Sequence, residues 1–274
     1  MHYQLIALDM DGTLLTDDHE ILPRTAQALQ ELAGRGVEIV FCTGRTPTNS
    51  IPYMKQLGFH EDGHVIVHNG AATVHTGTGK IVHQFPLDVP ALENYMSYCR
   101  SHDLHFDVNT AYSIYVQSLE QMQVAAQEMY AQFQGFDMKP MLLPHWSELS
   151  EPVLKLSVFA EPEKLDQAYT DWNLWEPTFN IQRSGEFFID LMHPQASKGA
   201  ALQAFAQQKG IAPEHIMAIG NYYNDLSMIR YAGLGIAVDN SPVDVKAAAD
   251  EVTRSNNDDG VYHMLKKYCD VSDL

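Results

Sequence analysis

The first seventy residues alternate short apolar runs with amphipathic stretches of helical length. Three of the runs have the length of buried strands, namely QLIALD (4–9), VEIVFCT (37–43) and HVIVHN (64–69). Pro23 opens a helical pattern that continues through Leu32, and PTNSIPYMKQL predicts a second, shorter helix. The order strand, helix, strand, helix, strand predicts a parallel sheet with helices on both faces, the doubly wound α/β class.

The same rhythm returns near Ser197, after a stretch of different texture. Helices are predicted for KGAALQAFAQQKG, YYNDLSMIRYAG, PVDVKAAAD and about 260–268, and strands for HIMAIG and LGIAVD. Before it, TVHTGTGKIVHQF predicts a hairpin, and helices near 90–103 and 119–133 alternate with the strands LHFDVN, YSIYVQ, VLKLSVFA and EFFIDLM. We therefore predict one core domain, residues 1–82 and 191–274, interrupted by an α+β domain, residues 83–190.

Two carboxylates follow the first strand in LDMDGTLL (8–15). Asp9 is an anion at neutral pH, so it can attack phosphorus without a base. Asp11 can give a proton to a leaving oxygen and take one from water. A divalent cation would relieve the repulsion between these carboxylates and a phosphate. The alternatives are an ordinary loop after a strand and part of a calcium-binding loop.

Other polar candidates stand at strand ends and helix starts, where a parallel sheet places its sites. The hydroxyl of Thr43 and the backbone N–H of Gly44 are suitable donors to a phosphoryl oxygen. Lys198 begins a helix, where its ammonium and the helix dipole both favour an anion, although a solvated surface lysine is the alternative.

The stretch AIGNYYNDLSM follows a predicted strand. On the helix predicted there, Asn221, Asn224 and Asp225 would share one face, because their spacings are three and four residues. That face would offer three oxygen donors to a hard cation.

Charge and cysteine content limit the classes of partner and location. The formal net charge is −18, which argues against a nucleic-acid binder because such proteins need Lys and Arg to replace counterions. Charges interrupt every apolar run well before membrane-spanning length. Cys42, Cys99 and Cys269 have no metal or redox spacing, as expected for buried thiols. We expect a cytoplasmic protein that binds neither nucleic acid nor membranes; its oligomeric state is left open.

Taken together, these stretches resemble the haloacid dehalogenase superfamily of phosphatases, in particular its Cof-type branch. The resemblance covers essentially the whole chain. It rests on DxDGT (9–13), TGR (43–45), NGA (69–71), the inserted domain, the SKG lysine, the stretch 220–225 and the ending VDVKAAADEVTRSNNDDGV. It implies a Rossmann-like parallel-sheet core with an inserted α+β cap domain over the site.

The resemblance also implies roles for the candidates. Asp9 would form an aspartyl-phosphate, Asp11 would be the acid and base, and Thr43 and Lys198 would hold the phosphate. Asn224 would help orient it, while Gly44, Arg45 and Asn69 would contact substrate in the pocket between core and cap. Mg²⁺ would be bound by Asp9, by the backbone carbonyl of Asp11 and by the stretch that contains Asn221 and Asp225.

Two positions depart from the pattern of the family. Asn221 stands where the family usually has aspartate, so a neutral amide replaces an anionic ligand, and we expect weaker magnesium binding with activity retained. Asp239 stands where relatives often have glycine, and the sequence offers no reason for it.

Three functions compete. The first is a Mg²⁺-dependent phosphatase that hydrolyses a small phosphorylated metabolite, such as a sugar phosphate or a phosphorylated cofactor, because a cap over a sheet crevice suits a compact ligand. The second is a phosphomutase with the same aspartyl-phosphate, which would depend on a bisphosphate activator. The third is a non-catalytic protein that binds a phosphorylated metabolite through a decayed site; Asn221 alone favours it.

Overall fold

A computed structural model describes residues 2–59, 61–120, 140–175 and 178–272. Eight strands form the core sheet. They are β1 (Leu5–Leu8), β2 (Glu38–Cys42), β3 (His64–Val67), β4 (Ala72–His75), β5 (Ile81–Gln84), β12 (Ile216–Gly220), β13 (Leu234–Ala237) and β14 (Glu251–Val252). Across the sheet they lie in the order β14-β13-β12-β1-β2-β3-β4-β5. The six strands from β14 to β3 are parallel, and β4 and β5 add an antiparallel hairpin at one edge.

Helices cover both faces of this sheet. In the core domain they are α1 (Pro23–Gly34), α2 (Pro47–Gln56), α5 (Lys198–Lys209), α6 (Leu226–Tyr231), α7 (Val243–Ala248) and α8 (Gly260–Cys269). Along β1 the side chains alternate, so Ile6 and Leu8 join the apolar cluster that contains residues of α1 and α8. Leu5 and Ala7 join the cluster on the opposite face, which contains residues of α5. The predicted doubly wound α/β fold is confirmed.

The inserted domain has its own six-stranded sheet. Its strands are β6 (His105–Asn109), β7 (Ile114–Val116), β8 (Met141–Leu142), β9 (Lys155–Phe159), β10 (Asn180–Gly185) and β11 (Phe188–Met192). Across the sheet they lie in the order β10-β11-β9-β6-β7-β8. The helices α3 (Val89–Ser101) and α4 (Pro162–Asn173) belong to the same domain, and their apolar residues share one buried cluster with alternate residues of the sheet. We call this domain the cap.

The structure moves three of the predicted boundaries. Residues 82/83 and 190/191, the predicted limits of the cap, fall inside β5 and β11, so the chain crosses between domains just after each strand. The helix predicted for YYNDLSMIRYAG begins only at Leu226, because Tyr223–Asp225 forms a 3-10 turn. The helix predicted near 119–133 falls mainly outside the described residues.

Two further observations bear on the expected environment of the protein. Within the described ranges, none of the helices is both long enough and apolar enough to cross a membrane. Cys42, Cys99 and Cys269 are free thiols and are buried, as predicted. Burial raises the pKa of all three thiols, so they are protonated at neutral pH.

Candidate active site

Asp9 lies at the carboxyl end of β1, in the middle of the core sheet. Its backbone N–H donates to the carbonyl of Ile219 at 3.0 Å, which ties it to the end of the neighbouring β12. The side chain is buried, and each oxygen has one partner: Nζ of Lys198 donates to Oδ1 at 2.6 Å, and Oγ1 of Thr13 donates to Oδ2 at 2.9 Å. The carboxylate is therefore fixed in one orientation.

Lys198 is the first residue of α5 and is completely buried, so it is not the solvated surface lysine that the sequence left as the alternative. The side chain of Ser197 caps the helix by accepting from the N–H of Ala200 at 3.1 Å. Gly70 packs against this start: its φ is +95°, and a Cβ there would lie 2.1 Å from the carbonyl oxygen of Ser197. A glycine in the NGA motif thus lets the turn approach the helix.

Lys198 joins Asp9 to Asp225, because its Nζ also donates to Oδ1 of Asp225 at 2.6 Å. Two buried carboxylates therefore share one ammonium. Burial, followed by the negative charge of Asp225, raises the pKa of Asp9 to about 7. Burial would lower the pKa of Lys198, but the two carboxylates raise it above its usual range. The pocket has an excess of negative charge that a cation would relieve.

The second carboxylate oxygen of Asp225 accepts hydrogen bonds from the backbone. Oδ2 accepts from the backbone N–H groups of Asn221 and Tyr222, at 2.8 and 3.0 Å. Asn221 therefore lies in the loop before the helix rather than on the predicted helical face. Its amide packs against Gly12, where φ is +71° and a Cβ would lie 2.4 Å from Nδ2 of Asn221. The stretch 220–225 therefore packs against the DxDGT turn.

Among the described residues, no three side chains of His, Cys, Asp or Glu are grouped as a metal site would require. The residues that line the cleft next to the DxDGT turn include Asp9, Asp11 and Asn221. They could offer a carboxylate, a main-chain carbonyl and an amide oxygen to a cation. Such a set suits a hard cation that keeps several waters, as Mg²⁺ does. The residues present therefore fit magnesium, and the excess negative charge around Lys198 favours its binding.

Asp11 is paired with Arg45, although 38% of its side chain is exposed. Nε and Nη2 of Arg45 donate to the two oxygens of Asp11 at 2.8 and 2.5 Å, a bidentate pair. Burial would raise the pKa of Asp11, but hydrogen bonds from Arg45 and His19 outweigh it and hold this pKa well below its usual range. Asp11 is thus a carboxylate in this arrangement. Nothing in the sequence predicts this pairing between the first and second motifs.

The remaining predicted residues lie at the same edge of the sheet. Thr43 is buried, and its Oγ1 accepts from the N–H of Arg45 at 3.1 Å. Asn69 is also buried and bridges two sides: its Oδ1 accepts from Nδ2 of Asn224 at 3.0 Å, and its own Nδ2 donates to Oδ2 of Asp190 at 2.6 Å. Because Asp190 belongs to the cap, Asn69 joins core and cap beneath the cleft between them.

That cleft has a volume of about 640 Å³. Its core side includes Asp9, Asp11, Gly44, Arg45 and Asn224. Its cap side includes five polar residues that no sequence motif marks as candidates, namely Asp107, Asn109, Lys155, Ser157 and Asp190. A signal for them existed, because in HFDVN, KLSVF and FIDLM each polar residue alternates with apolar ones. Such alternation normally indicates a solvated face, so only the fold reveals that this face is covered.

Comparison with known proteins supports the same interpretation. A sequence profile of haloacid dehalogenase-like hydrolases matches residues 6–265. The Bacillus subtilis protein YxeH, provisionally named a phosphatase, is 33% identical, with 96% of this chain and 97% of that protein aligned. The 5-amino-6-(5-phospho-D-ribitylamino)uracil phosphatase YwtE of the same organism is 28% identical, over 95% of this chain and 96% of that protein.

The fold is shared as well. A solved haloacid dehalogenase-like hydrolase from B. subtilis superimposes with a TM-score of 0.83 at 29% identity, covering 97% of this chain and 99% of that one. The alignment thus includes both the core and the cap.

Proposed function

Because this chain belongs to the haloacid dehalogenase-like hydrolases and is a phosphatase of that family, we propose that it hydrolyses a small phosphorylated metabolite, with Mg²⁺, through an aspartyl-phosphate on Asp9. One observation carries the proposal: Lys198 and Thr13 fix the Asp9 carboxylate at the end of the central strand, on the floor of the cleft under the cap. A nucleophile needs such a fixed orientation to attack phosphorus in line with the leaving oxygen.

Magnesium would be held by Asp9, by the main chain of Asp11 and by the Asn221 amide, with Asp225 close behind. When bound, it would neutralise the phosphoryl oxygens and keep Asp9 ionised, which the raised pKa of Asp9 otherwise opposes. Lys198 remains paired with Asp9 and Asp225 and provides the fixed positive charge beneath the phosphoryl group.

The reaction has two steps on this chain. An oxygen of Asp9 attacks phosphorus, the bond from phosphorus to the ester oxygen breaks, and Asp11 gives its proton to the departing alkoxide. A water molecule then attacks the phosphorus of the aspartyl-phosphate, Asp11 takes its proton, and inorganic phosphate leaves Asp9. Asp11 therefore alternates between acid and base.

The pairing of Asp11 with Arg45 bears on the first step. An acid must hold a proton, but the two hydrogen bonds from Arg45 favour the carboxylate form. Arg45 lines the cleft and is a donor that suits phosphate. For the first step, a bound phosphoryl ester would have to draw Arg45 away from Asp11 so that Asp11 can hold a proton. In the second step Asp11 acts as a base, and its pairing with Arg45 favours the carboxylate form that this requires.

The size of the cleft supports a metabolite rather than a macromolecule, because small-molecule sites typically range from about 300 to 1,000 Å³. The relative YwtE is named for a compound of that size, a phosphorylated ribityl derivative of uracil. The three buried free thiols support a location in the reducing cytoplasm.

Release of phosphate from p-nitrophenyl phosphate tests the proposal directly. We expect turnover with Mg²⁺, loss of turnover when the metal is chelated, and recovery when Mg²⁺ is restored. Turnover that is equal with and without chelator would contradict the magnesium requirement. The absence of turnover under both conditions, and on every monophosphate offered, would contradict the hydrolase itself.

A further inference from the structure

The turn that carries Asp11 is held by a residue from the C-terminal part of the chain. The carbonyl oxygen of Gly12 accepts from Nδ2 of Asn240 at 2.8 Å, although the two residues are 228 positions apart in the sequence. Gly12 has a φ of +71°, in the left-handed region that glycine adopts without strain. Asn240 follows β13 and therefore reaches the turn from a neighbouring part of the core sheet, at the residue next to Asp11.

The amide of Asn240 has a defined orientation. Its Oδ1 accepts from the backbone N–H of Asn256 at 3.2 Å, and only the oxygen of the amide can serve this donor. Nδ2 therefore faces the carbonyl of Gly12. Rotation of the amide by half a turn would place donor against donor and acceptor against acceptor, so both hydrogen bonds would be lost together.

The same C-terminal segment holds the loop after the turn. Asn256 is buried in a 3-10 turn, and its Nδ2 donates to the carbonyl of Leu15 and to Oδ1 of Asp17, both at 3.0 Å. Asn257 forms a reciprocal pair with Asp17: its Nδ2 donates to Oδ2 at 2.9 Å, and its Oδ1 accepts from the N–H at 3.0 Å. Asparagine side chains thus fix the loop at Gly12, Leu15 and Asp17.

The hydrogen bond from Asn240 restricts the chain at a point that matters for the reaction. The side chain of Asn240 is exposed, so water competes for this bond, and it contributes less to stability than a buried one would. It restrains a glycine, however, which has the greatest conformational freedom of any residue. Gly12 lies between Asp11 and Thr13, and Thr13 donates to Asp9. A shift of the Gly12 peptide would therefore move the acid and base relative to the nucleophile.

Asp11 depends on its backbone for its position in the first step of the proposed reaction. Arg45 holds its carboxylate, but this restraint is lost when Arg45 turns to the phosphoryl group. The acid has to lie within about 2.6–3.2 Å of the leaving oxygen, and a displacement of about 1 Å can lower the rate about 10²-fold. The hydrogen bond from Asn240 to Gly12 does not involve Arg45, so it can persist while the proton is transferred.

We propose that Asn240 is a positioning residue for Asp11, and that Asn256 orients Asn240 for this role. Among the described residues that line the cleft, neither asparagine is included, so they act through the DxDGT turn and not on the substrate. This inference rests on the proposed phosphatase function and adds to it a residue that fixes the acid and base.

Two aryl phosphates of similar size test the proposal, with Mg²⁺ present. Phenolate is a strong base, since phenols such as tyrosine have a pKa near 10, and it leaves with a proton from an acid; p-nitrophenolate is a weaker base that needs the proton less. We expect Asn240→Ala to lower kcat/KM about tenfold or more for phenyl phosphate, and about threefold or less for p-nitrophenyl phosphate. The ratio of the two values does not depend on the fraction of folded enzyme.

The same substitution in the Asp11→Asn variant shows whether Asn240 acts through Asp11. Once the proton donor is gone, its position no longer matters, so adding Asn240→Ala should change the ratio for the two esters by less than twofold. A fall in the ratio as large as that in the unchanged background would overturn the proposal, because Asn240 would then act on a different group.

Asn173→Ala is the matched control. Asn173 is an exposed asparagine on α4 of the cap, and its Nδ2 also donates to a backbone carbonyl, that of Tyr169, at 2.6 Å. Its ratio should equal that of the unchanged protein. A ratio that moves by less than twofold in Asn240→Ala would overturn the positioning role and leave the phosphatase intact. Inactivity of the unchanged protein on these and all other monophosphates would instead overturn the proposed function, and with it this inference.

Discussion

Lys198→Met tests the charge arrangement at the base of the site. Methionine has a similar length but no charge, so the variant leaves Asp9 and Asp225 buried without the ammonium that both contact at 2.6 Å. Removing one partner of a buried ion pair typically costs about 3–5 kcal/mol of unfolding free energy. We expect a loss of that size at pH 8, measured by urea denaturation with metal chelated.

The loss should depend on pH. The pKa of Asp9 is raised to about 7 in the folded protein, above the value near 3.9 of an unfolded aspartate, so the folded state binds an extra proton between these values. Stability linked to Asp9 therefore falls as pH rises from about 4 to about 7. Without Lys198, which lowers this pKa, the fall extends to higher pH. The variant should thus lose less stability at pH 5 than at pH 8.

Lys209→Met is the matched control on the same helix. Lys209 contacts Glu38 at the same distance of 2.6 Å, but the two side chains are 29% and 32% exposed. Such surface pairs contribute about 0–1 kcal/mol, so the control should change stability little. A loss below about 1 kcal/mol for Lys198→Met at pH 8, or a larger loss at pH 5 than at pH 8, would refute the reasoning.

Three further substitutions test separate parts of the site. Asp11→Asn should slow turnover of a sugar phosphate by roughly 10² to 10⁴, and an unchanged kcat would contradict its role as acid and base. Asn221→Asp should tighten Mg²⁺ binding in a calorimetric titration, whereas an unchanged affinity would mean that Asn221 is not near the ion. Gly70→Ala should lower the melting temperature more than Gly36→Ala. Both glycines have positive φ, but an added Cβ would meet backbone atoms only at Gly70. Equal decreases in melting temperature would show that the close packing of Gly70 on α5 is unimportant.

The core and its catalytic residues could be predicted from the sequence because their signals are local. The apolar run before Asp9 marks a buried strand, and the parallel sheet that the strand order implies brings Asp9, Thr43 and Asn69 to one edge. The predicted start of α6 is wrong because Asp225 caps a 3-10 turn with its side chain, which helical periodicity does not reveal.

The cap side of the site could not be predicted in the same way. Asp107 and Asp190, which line the cleft from the cap, are 83 positions apart in the sequence and come together through the pairing of their strands with β9. Their alternation with apolar neighbours indicates a strand but does not tell whether the polar face meets water or a second domain. The pairing of Asp11 with Arg45 is likewise a tertiary contact between two motifs.

Covalent phosphorylation of Asp9 is the central claim. A single turnover of a ³²P-labelled sugar monophosphate with Mg²⁺, quenched in acid and followed by peptide mapping, tests it most directly. The label should lie on the peptide that contains Asp9 and should be lost, together with turnover, in Asp9→Asn. Label on a different residue, or full turnover by Asp9→Asn, would contradict the mechanism.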